Sequence, residues 1–575
     1  MTVDQPVAAP RAASDSTAPW WRDAVVYQVY VRSFADSDGD GIGDLGGICE
    51  RLDHLESLGV DAIWLTPCYP SPQLDHGYDV ADYFDIDPMY GDLATFDRLI
   101  AQTRERGMKV LMDVVPNHCS SRHAWFQAAL PAAPGSPERA RFFFRDGRGE
   151  YGELPPNNWQ AVFGGPAWTR VVEADGTPGQ WYLHTFTPWQ PDFDWDCPDV
   201  VEMFDRMLTF WFDRGVEGFR VDAVVVVGKA PGLPDTPPPP EGTAENDVWT
   251  HNPYSVFWPS AHDHWRRWRT LMDRYQAEHP GRVLMTVSEA YTPERPDLLL
   301  QYVRPDEFHQ SFCFDLMLVP WIAAETRWAI AEVYETLQAA GAALTWTLNN
   351  HDTQRSVTRY GRANAADLSS WTRNNLVYVD APVDEALGWR RSRAAIALAA
   401  ALPGALYLYQ GEELGLPEVL DLPPEVRQDP IFVRTEGREI GRDGCRVPLP
   451  WTADPQTAYG FSPTPSTPWL PQPATWAGAS ALAQETDPSS MLVWYRTVMR
   501  HRRDLALGAT PIEWIDLARE DVLAFRRGPL TVVLNFGDEP FVLPADAGVV
   551  VLSSAVPHDD PAVLPGNACA WLLQR

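Results

Sequence analysis

Eight short apolar runs, each followed by a helix-like stretch, dominate the pattern of this sequence. They lie at residues 25–34, 61–67, 109–116, 218–224, 283–290, 311–317, 343–350 and 405–411. Several are continuously hydrophobic, as expected of a strand that is buried on both faces of a parallel sheet. Eight strand–helix units predict an α/β fold, a parallel (β/α)8 TIM barrel, with its chemistry at the carboxyl ends of the strands.

Two regions do not fit this repeat. The segment after the third run, about residues 117–200, is rich in aromatic residues, Gly and Pro and is too long for a simple loop, which predicts an inserted subdomain. The chain after residue 505 reads as short alternating strands, which predicts a small antiparallel β-domain. The expected domains are a disordered tail (1–19), a catalytic barrel (20–116 and 201–505), an inserted subdomain B (117–200) and a C-terminal β-domain (506–575).

Composition argues against several classes of function. The net charge of −32 would repel phosphate, so neither nucleic acid nor an anionic membrane is an expected partner. No apolar run approaches the roughly twenty residues that span a bilayer, and the N-terminus lacks a basic start and an apolar core. Seven singly scattered cysteines predict reduced thiols in the core. We expect a cytoplasmic protein, with a monomer and a homodimer both left open.

The segment ADSDGDGIGDLGG (35–47) predicts a cation-binding loop with a sharp bend at Gly41. Its oxygen donors would stand at positions one, three, five, seven (a backbone carbonyl) and nine: Asp36, Asp38, Asp40, Ile42 and Asp44. This matches the shell that Ca²⁺ or Mg²⁺ needs. Gly47 stands at position twelve, where an EF-hand carries a bidentate Glu, so we expect one structural ion rather than a sensor. The alternative is an ion-free Asp/Gly turn.

Carboxylate and imidazole groups cluster at four strand ends: DVVPNH (113–118), GFRVD (218–222), SEA (288–290) and NNHD (349–352). Arg220 and Asp222 are two residues apart in a strand and so lie on one face, where the guanidinium would keep the carboxylate ionised as a candidate nucleophile. Glu289 follows an apolar run, where burial would raise its pKa and let it donate a proton at neutral pH. Asp352 supplies a third carboxylate.

Paired carboxyl groups of this kind suit glycoside hydrolysis. About 5–5.5 Å between them defines a retaining enzyme, in which one attacks the anomeric carbon while the other protonates the leaving oxygen and later activates water. Any one of these acids alone would more often be a salt-bridge partner. The coincidence of four clusters at matching strand ends favours catalysis.

In this order and spacing, DVVPNH, GFRVDA, SEA and NNHD resemble the conserved regions of the α-amylase superfamily of glycoside hydrolases, over nearly the whole chain from Trp20 onward. The resemblance implies that Asp222 is the nucleophile, that Glu289 is the acid/base, and that Asp352 grips the sugar hydroxyls and stabilises the transition state. It implies further contacts around the same sugar ring from Arg220, His118 and His351. Asp113 and Asn117 match more structural positions, and Asn117 is often near the family's calcium site.

Other motifs point to one branch of the superfamily. QPDFDW (190–195) resembles the QPDLNW signature of the oligo-1,6-glucosidase and α-glucosidase branch, and the metal loop matches that branch too. There the resemblance implies that Tyr78 stacks on the terminal glucose and that Phe163 belongs to the substrate-binding set. It also implies that Asp75 pairs with an arginine, either Arg442 or Arg446, to close the pocket. A closed pocket implies exo action.

The residue after the expected nucleophile bears on linkage. It is Ala223, where branch members that prefer α-1,6 bonds usually carry Val. The smaller side chain favours α-1,4 substrates such as maltose and short malto-oligosaccharides, although one methyl-scale change is worth only about 1–3 kcal/mol. Three alternatives stay open: an α-glucosyltransferase using maltose or sucrose as donor, a trehalose synthase or sucrose isomerase, and a catalytically dead binding relative, which would need loss of the triad or a membrane segment.

Overall fold

The structure is a computed structural model that describes residues 18–362 and 382–574, apart from residues 174, 242, 244, 293, 294, 545 and 557–559. Of the predicted tail, residues 1–17 lie outside the described residues. Part of the long segment that follows the NNHD motif also lies outside them, at residues 363–381.

All eight predicted strands are present in one parallel sheet that nearly closes into a barrel. They are β1 (Val25–Val29), β2 (Ala62–Leu65), β3 (Lys109–Val114), β7 (Gly218–Val221), β8 (Met285–Ser288), β9 (Gln310–Ser311), β10 (Thr345–Thr347) and β11 (Ala405–Tyr409), numbered along the whole chain. Neighbouring strands run in the order β10, β11, β1, β2, β3, β7, β8, β9. Every residue of β1 is buried, including the polar Gln28, as expected of a strand covered on both faces.

The strand prediction and the structure differ at the seam between β9 and β10. The run at 311–317 predicts a full strand, but β9 ends at Ser311 and the chain enters a short helix. At the seam the Thr345 hydroxyl donates to the Ser311 carbonyl at 2.7 Å and accepts from the Cys313 N–H at 3.1 Å. A side chain therefore takes the place of main-chain pairing, and the strand stays short.

Helices alternate with these strands. The described helices are α1 (Leu45–Glu50), α2 (Leu52–Leu58), α3 (Leu93–Glu105), α4 (Ala124–Ala129), α5 (Pro198–Asp213), α6 (Ala261–Glu278), α7 (Pro296–Leu299), α8 (Asp315–Leu318), α9 (Ala323–Ala339), α10 (Ser356–Tyr360), α11 (Glu385–Ala401), α12 (Pro430–Arg434), α13 (Ala481–Gln484) and α14 (Met491–Leu505). Helix α3 is typical: Asp92 caps its N-terminus by accepting from the Thr95 N–H, and Phe96, Leu99 and Ile100 are buried on one face.

The segment between β3 and α5 carries its own small antiparallel sheet, as the inserted-subdomain prediction requires. Its strands are β4 (Phe144–Arg145), β5 (Trp168–Val172) and β6 (Pro178–Leu183), in the order β4, β6, β5. After β6 the chain returns to the barrel, where Asp192 forms a bridge with His118. The insertion thereby brings side chains of the 190–195 motif to the carboxyl end of the barrel.

The C-terminal part is an antiparallel β-domain. A five-stranded sheet has the order β12 (Glu513–Ile515), β13 (Val522–Arg527), β14 (Leu530–Asn535), β18 (Ala568–Leu573), β16 (Val549–Ser553), and β15 (Phe541–Val542) pairs with β17 (Val563–Leu564). It packs on α11, where the Trp571 indole donates to the Ala397 carbonyl at 3.0 Å. All seven cysteines are described and none is disulfide-bonded. Among the described helices, none combines the length and the apolar character needed to cross a bilayer.

Candidate active site

A cavity opens at the carboxyl end of the barrel, and most of the predicted site residues line it. These are Asp75, Tyr78, His118, Phe163, Asp222, Ala223, Glu289, His351, Asp352 and Arg442. Arg220 and Arg446, the other two predicted substrate-binding residues, are almost fully buried and contact the acids that line the cavity. The cavity also has apolar lining that the motifs did not indicate: Val162, Phe186, Val225, Val226, Trp249, Tyr291, Phe314 and Met317.

Arg220 is the hub of the carboxylate cluster. Its Nη1 donates to Asp113 Oδ1 at 2.9 Å and to Asp222 Oδ1 at 2.7 Å, and its Nη2 lies 2.7 Å from Glu289 Oε1. These three acids come from or directly follow β3, β7 and β8, which are adjacent in the barrel. Three carboxyl groups therefore share one guanidinium.

Because three acids surround one guanidinium, the protonation of these acids differs from what the sequence predicts. The spacing of Arg220 and Asp222 predicts an ionised carboxylate, but burial raises the pKa of Asp222 well above its ordinary value, and Glu289 and Asp113 add to the shift against Arg220. Burial likewise raises the pKa of Asp113 to about 6. The cluster thus holds a proton to higher pH than isolated carboxyl groups would, and the proton is shared among interacting groups.

Glu289 is held from two sides. Besides the Arg220 contact, its Oε2 accepts from the Ala223 N–H at 3.1 Å. Ala223 can present this N–H because it lies in the left-handed region, with φ +46° and ψ +38°. The turn after β7 therefore aims a main-chain donor at the carboxyl group that follows β8.

Tyr78 and two histidines form one wall. The Tyr78 hydroxyl donates to Asp113 Oδ2 at 3.0 Å and lies 2.6 Å from His351 Nε2, and the Tyr78 and His351 rings stack at 5.3 Å with an interplanar angle of 7°. Burial lowers the pKa of His118 to about 3 and that of His351 well below its ordinary value. Both imidazoles are therefore neutral hydrogen-bonding groups at pH 7.

The structure separates the two arginines between which the sequence could not choose. Arg442 Nη2 donates to Asp75 Oδ1 at 3.1 Å and its Nη1 donates to Asp352 Oδ1 at 2.9 Å. Arg446 Nη2 also donates to Asp352 Oδ1, at 2.8 Å. Of the two, Arg442 is the one that bridges Asp75 and Asp352, and its guanidinium lies over the Phe163 ring at 5.2 Å.

The pKa values of the two acids bridged by Arg442 shift in opposite directions. Burial disfavours the ionised form of Asp352, but His351, Arg442 and Arg446 outweigh it and hold the pKa of Asp352 far below its usual range. At Asp75 burial is the stronger influence and raises the pKa of the carboxyl group, with Arg442 opposing it. Asp352 is thus a fixed anion in the cavity.

Gln190 and Lys229 are contributors that the motifs did not assign. Gln190 Nε2 donates to Asp75 Oδ2 at 2.8 Å, so the first residue of QPDFDW supports the Asp75 carboxyl group. Lys229 Nζ donates to Asn117 Oδ1 at 3.0 Å and lies 3.1 Å from Asp192 Oδ2. The Lys229 ammonium group therefore lies between Asn117 and Asp192, close to where the family resemblance implies calcium. The QPDFDW motif was a usable signal for Gln190, whereas no sequence pattern pairs Lys229 with Asn117.

In the predicted metal loop, three of the four aspartates lie close together. Carboxylate oxygens of Asp36, Asp38 and Asp40 all lie within 4.8 Å of one another. Asp44 instead caps α1 by accepting from the Gly47 N–H at 2.7 Å. Gly41 has φ +91°, and a Cβ at this position would collide with the Thr467 carbonyl oxygen, so the bend needs glycine.

Comparison with known proteins agrees with this geometry. A family model described as alpha amylase, catalytic domain, matches residues 28–508, and one described as a domain of unknown function (DUF3459) matches residues 516–571. A probable alpha-glucosidase from Rhizobium meliloti is 34% identical over 537 residues, covering 90% of each chain. An oligo-1,6-glucosidase from Parageobacillus thermoglucosidasius is 33% identical, covering 90% of this chain and 91% of its own. The crystal structure of an alpha-glucosyl transfer enzyme, XgtA, superposes with a TM-score of 0.81 at 33% identity, over 97% of this chain and 100% of that one.

A parallel barrel with a cluster of carboxyl groups at its carboxyl end, together with these matches, defines a glycoside hydrolase. The chain belongs to the α-amylase family, in the branch that contains α-glucosidases and oligo-1,6-glucosidases. Enzymes of this family act by double displacement through a covalent glycosyl-enzyme.

Proposed function

We propose that this enzyme is a retaining, exo-acting α-glucosidase that hydrolyses terminal α-1,4-linked glucose from maltose and short malto-oligosaccharides, with transglucosylation as a side reaction. One observation carries the proposal. Arg442 bridges Asp75 and Asp352 in the same cavity that holds Asp222 and Glu289. A charged clamp of this kind caps a terminal sugar through its distal hydroxyls, and a longer chain would have to displace it.

In the first step Asp222 attacks the anomeric carbon while Glu289 protonates the departing glycosidic oxygen. Glu289 and Asp222 interact through Arg220, and this step requires the proton on Glu289 and the negative charge on Asp222. Arg220 holds both reacting carboxyl groups through its two Nη atoms, which supports the short separation that a retaining enzyme requires. The ionised Asp352 stabilises the positive charge that develops on the sugar ring.

In the second step Glu289, now ionised, removes a proton from water, which attacks the same carbon and releases α-glucose. A bound sugar hydroxyl competes with water when an acceptor occupies the leaving-group side. Apolar side chains such as Val226 and Tyr291 line the cavity, and this supports binding of a sugar ring there.

A dedicated α-glucosyltransferase is the second candidate, favoured by the similarity to an alpha-glucosyl transfer enzyme. Proton NMR of products from about 5 and about 500 mM maltose separates the two functions. A hydrolase forms mainly glucose at the lower concentration and adds transfer products only at the higher one. Transfer products that dominate at both concentrations would favour the transferase, and trehalose from maltose, or isomaltulose from sucrose, would indicate an isomerase.

Ala223→Val is expected to shift the ratio of kcat/KM for maltose over isomaltose toward isomaltose by about tenfold, because the added methyl groups narrow the space beside Asp222. Valine is strained at φ +46°, so the variant should also melt at a lower temperature. Ala223→Gly is the matched control, since glycine accepts this backbone without a side chain and should keep the preference for maltose. An unchanged ratio in Ala223→Val would remove Ala223 from linkage selection.

We also propose one structural Ca²⁺ or Mg²⁺ in the loop at 35–47. Burial raises the pKa of Asp40, and the charges of Asp38 and Asp36 raise it further, which supports a site where clustered carboxylates need a cation. Asp36, Asp38 and Asp40 would hold the ion through carboxylate oxygens, which suit hard divalent cations. Its contribution would be to fix the loop.

Chelation with EDTA should therefore lower the melting temperature by about 2–8 °C while changing kcat by less than about twofold at room temperature. Asp40→Asn is the control, because loss of one ligand should abolish the response of melting to chelator and to added Ca²⁺. Protein that contains no divalent ion by elemental analysis and melts identically with EDTA would show an ion-free, hydrogen-bonded turn.

A further inference from the structure

Asp429 is a buried carboxylate on which Arg442 is anchored. It is 0% exposed and immediately precedes α12. Its Oδ2 accepts two hydrogen bonds from Arg442, from the backbone N–H at 2.8 Å and from Nε at 2.6 Å. One oxygen atom therefore fixes both the main chain and the side chain of the same arginine.

The other contacts of Asp429 leave it little freedom. Its Oδ1 accepts from the Ile431 N–H at 2.8 Å and caps α12. Its own N–H donates to Asp443 Oδ2 at 3.0 Å, and this carboxylate also accepts from the Gln428 N–H at 2.8 Å. Segments 428–429 and 442–443 are thus joined by hydrogen bonds, and each segment donates to a carboxylate of the other.

Gly441 shows how closely the two segments approach. It has φ +66°, and a Cβ there would lie 2.8 Å from Asp429 Cβ and 2.9 Å from Asp429 Cγ. Contacts below 3.0 Å force a shift, so glycine before Arg442 allows the carboxylate to reach the arginine.

The guanidinium nitrogens of Arg442 reach three carboxylates, and Nη2 also donates to Asp429 Oδ1 at 3.4 Å. Nε donates to Asp429, Nη1 to Asp352 and Nη2 to Asp75. Because the guanidinium is planar, a partner at Nε fixes the direction of the two Nη atoms. Arg442 and Arg446 overcome burial and hold the pKa of Asp429 at about 2, so this partner is an anion at any working pH.

From this arrangement we propose that Asp429 is a positioning residue for the substrate clamp: it sets the orientation of Arg442 and, through it, the spacing of Asp75 and Asp352. Asp429 is fully buried and does not line the cavity, so it acts through the arginine. The proposal rests on the proposed function, since it concerns the same clamp. In the sequence, no motif at RQDP (427–430) indicates the role.

Asp429→Asn tests this directly. The single amide oxygen can accept from Arg442 or from Ile431 but not from both, and the amide N–H₂ group faces a donor in either orientation. The negative charge that pairs with the guanidinium is lost in both cases, so Arg442 is held more weakly. We expect kcat/KM for p-nitrophenyl α-glucoside to fall by about 10–100-fold, with KM raised. Asp454→Asn is the matched control: Asp454 also precedes a proline and caps a short helix through the Gln456 N–H at 3.0 Å, but is exposed. Its kinetics should stay within about twofold of wild type.

A double-mutant cycle with Arg442→Lys distinguishes positioning from general structural support. Lysine has no Nε–H at that place, so in the background of the Arg442→Lys variant the Asp429→Asn change should cost less than about threefold. An equal cost in both backgrounds, or wild-type kinetics of Asp429→Asn itself, would overturn the proposal. If Asp429→Asn does not fold, Asp429→Glu and Gly441→Ala take its place in the cycle with the same expectations. Failure of the wild type to hydrolyse the glucoside would count against the proposed function instead.

Discussion

Replacing Asp222 by alanine is expected to abolish turnover of maltose, with a loss of about 10⁴-fold or more in kcat. In the proposed mechanism the covalent glucosyl-enzyme cannot form without this carboxylate. Residual activity above about a hundredth of wild type would remove Asp222 from the role of nucleophile. Asp222→Asn should behave alike, once deamidation has been excluded by mass spectrometry.

The melting temperature supplies the control for this loss. Burial raises the pKa of Asp222 in the folded protein. The contribution of such a group to the stability of the fold is lost as the pH rises from the unfolded-state pKa through the folded-state pKa. At pH 7, which is above the unfolded-state pKa, burying this carboxyl group therefore costs stability, and Asp222→Ala should melt at or above the temperature of wild type. Arg220 retains Asp113 and Glu289 as partners in the variant. A markedly lower melting temperature would mean that inactivity reflects misfolding.

Glu289→Gln is expected to be comparably inactive on maltose but to keep part of its first-step rate on α-glucosyl fluoride, because fluoride leaves without a proton. A uniform loss across leaving groups would contradict the assignment of Glu289 as the acid. Glutamine preserves the shape of the side chain and removes its proton-transfer function, so the comparison isolates the chemistry.

Azide distinguishes the two roles by stereochemistry. In Glu289→Gln the intermediate still forms, and azide then displaces the enzyme carboxylate, so two inversions give α-glucosyl azide. In Asp222→Ala azide can only attack the fluoride substrate directly, and one inversion gives β-glucosyl azide. The opposite pair of products would exchange the two assignments.

The barrel could be predicted from the sequence because strands buried on both faces tend to have continuously apolar sequences, of which β2 (AIWL) is an example. The strand β9 shows the limit of this reasoning. Its run, SFCFDLM, is mostly apolar, yet Thr345 takes the hydrogen bond that a longer strand would need, and that contact joins positions over thirty residues apart. Periodicity carries no information on such a partner.

The positions of site residues that directly follow a barrel strand could be predicted from the sequence, whereas the positions of those in long loops could not. Asp222 and Glu289 each stand one residue after a barrel strand, so their convergence follows from the fold. Arg442 and Arg446 lie in one loop, and only the three-dimensional path of that loop shows which reaches Asp75. Asp429 belongs to the same class, because its partner is thirteen residues away with no periodic relation.

Protonation was the property least accessible from the sequence. The Arg220–Asp222 spacing predicts a simple ion pair, whereas the fold adds Asp113 and Glu289 to the same guanidinium. The sum of these charges and the depth of burial are set only when three strands are assembled side by side.

The most direct test of the closed, retaining pocket is time-resolved proton NMR of maltoheptaose, free and with its non-reducing end blocked. The clamp of Asp75, Arg442 and Asp352 predicts release of single glucose units as the α-anomer from the free chain, and no cleavage of the blocked one. Cleavage of interior bonds in the blocked chain, or β-glucose as the first product, would contradict an exo-acting retaining α-glucosidase.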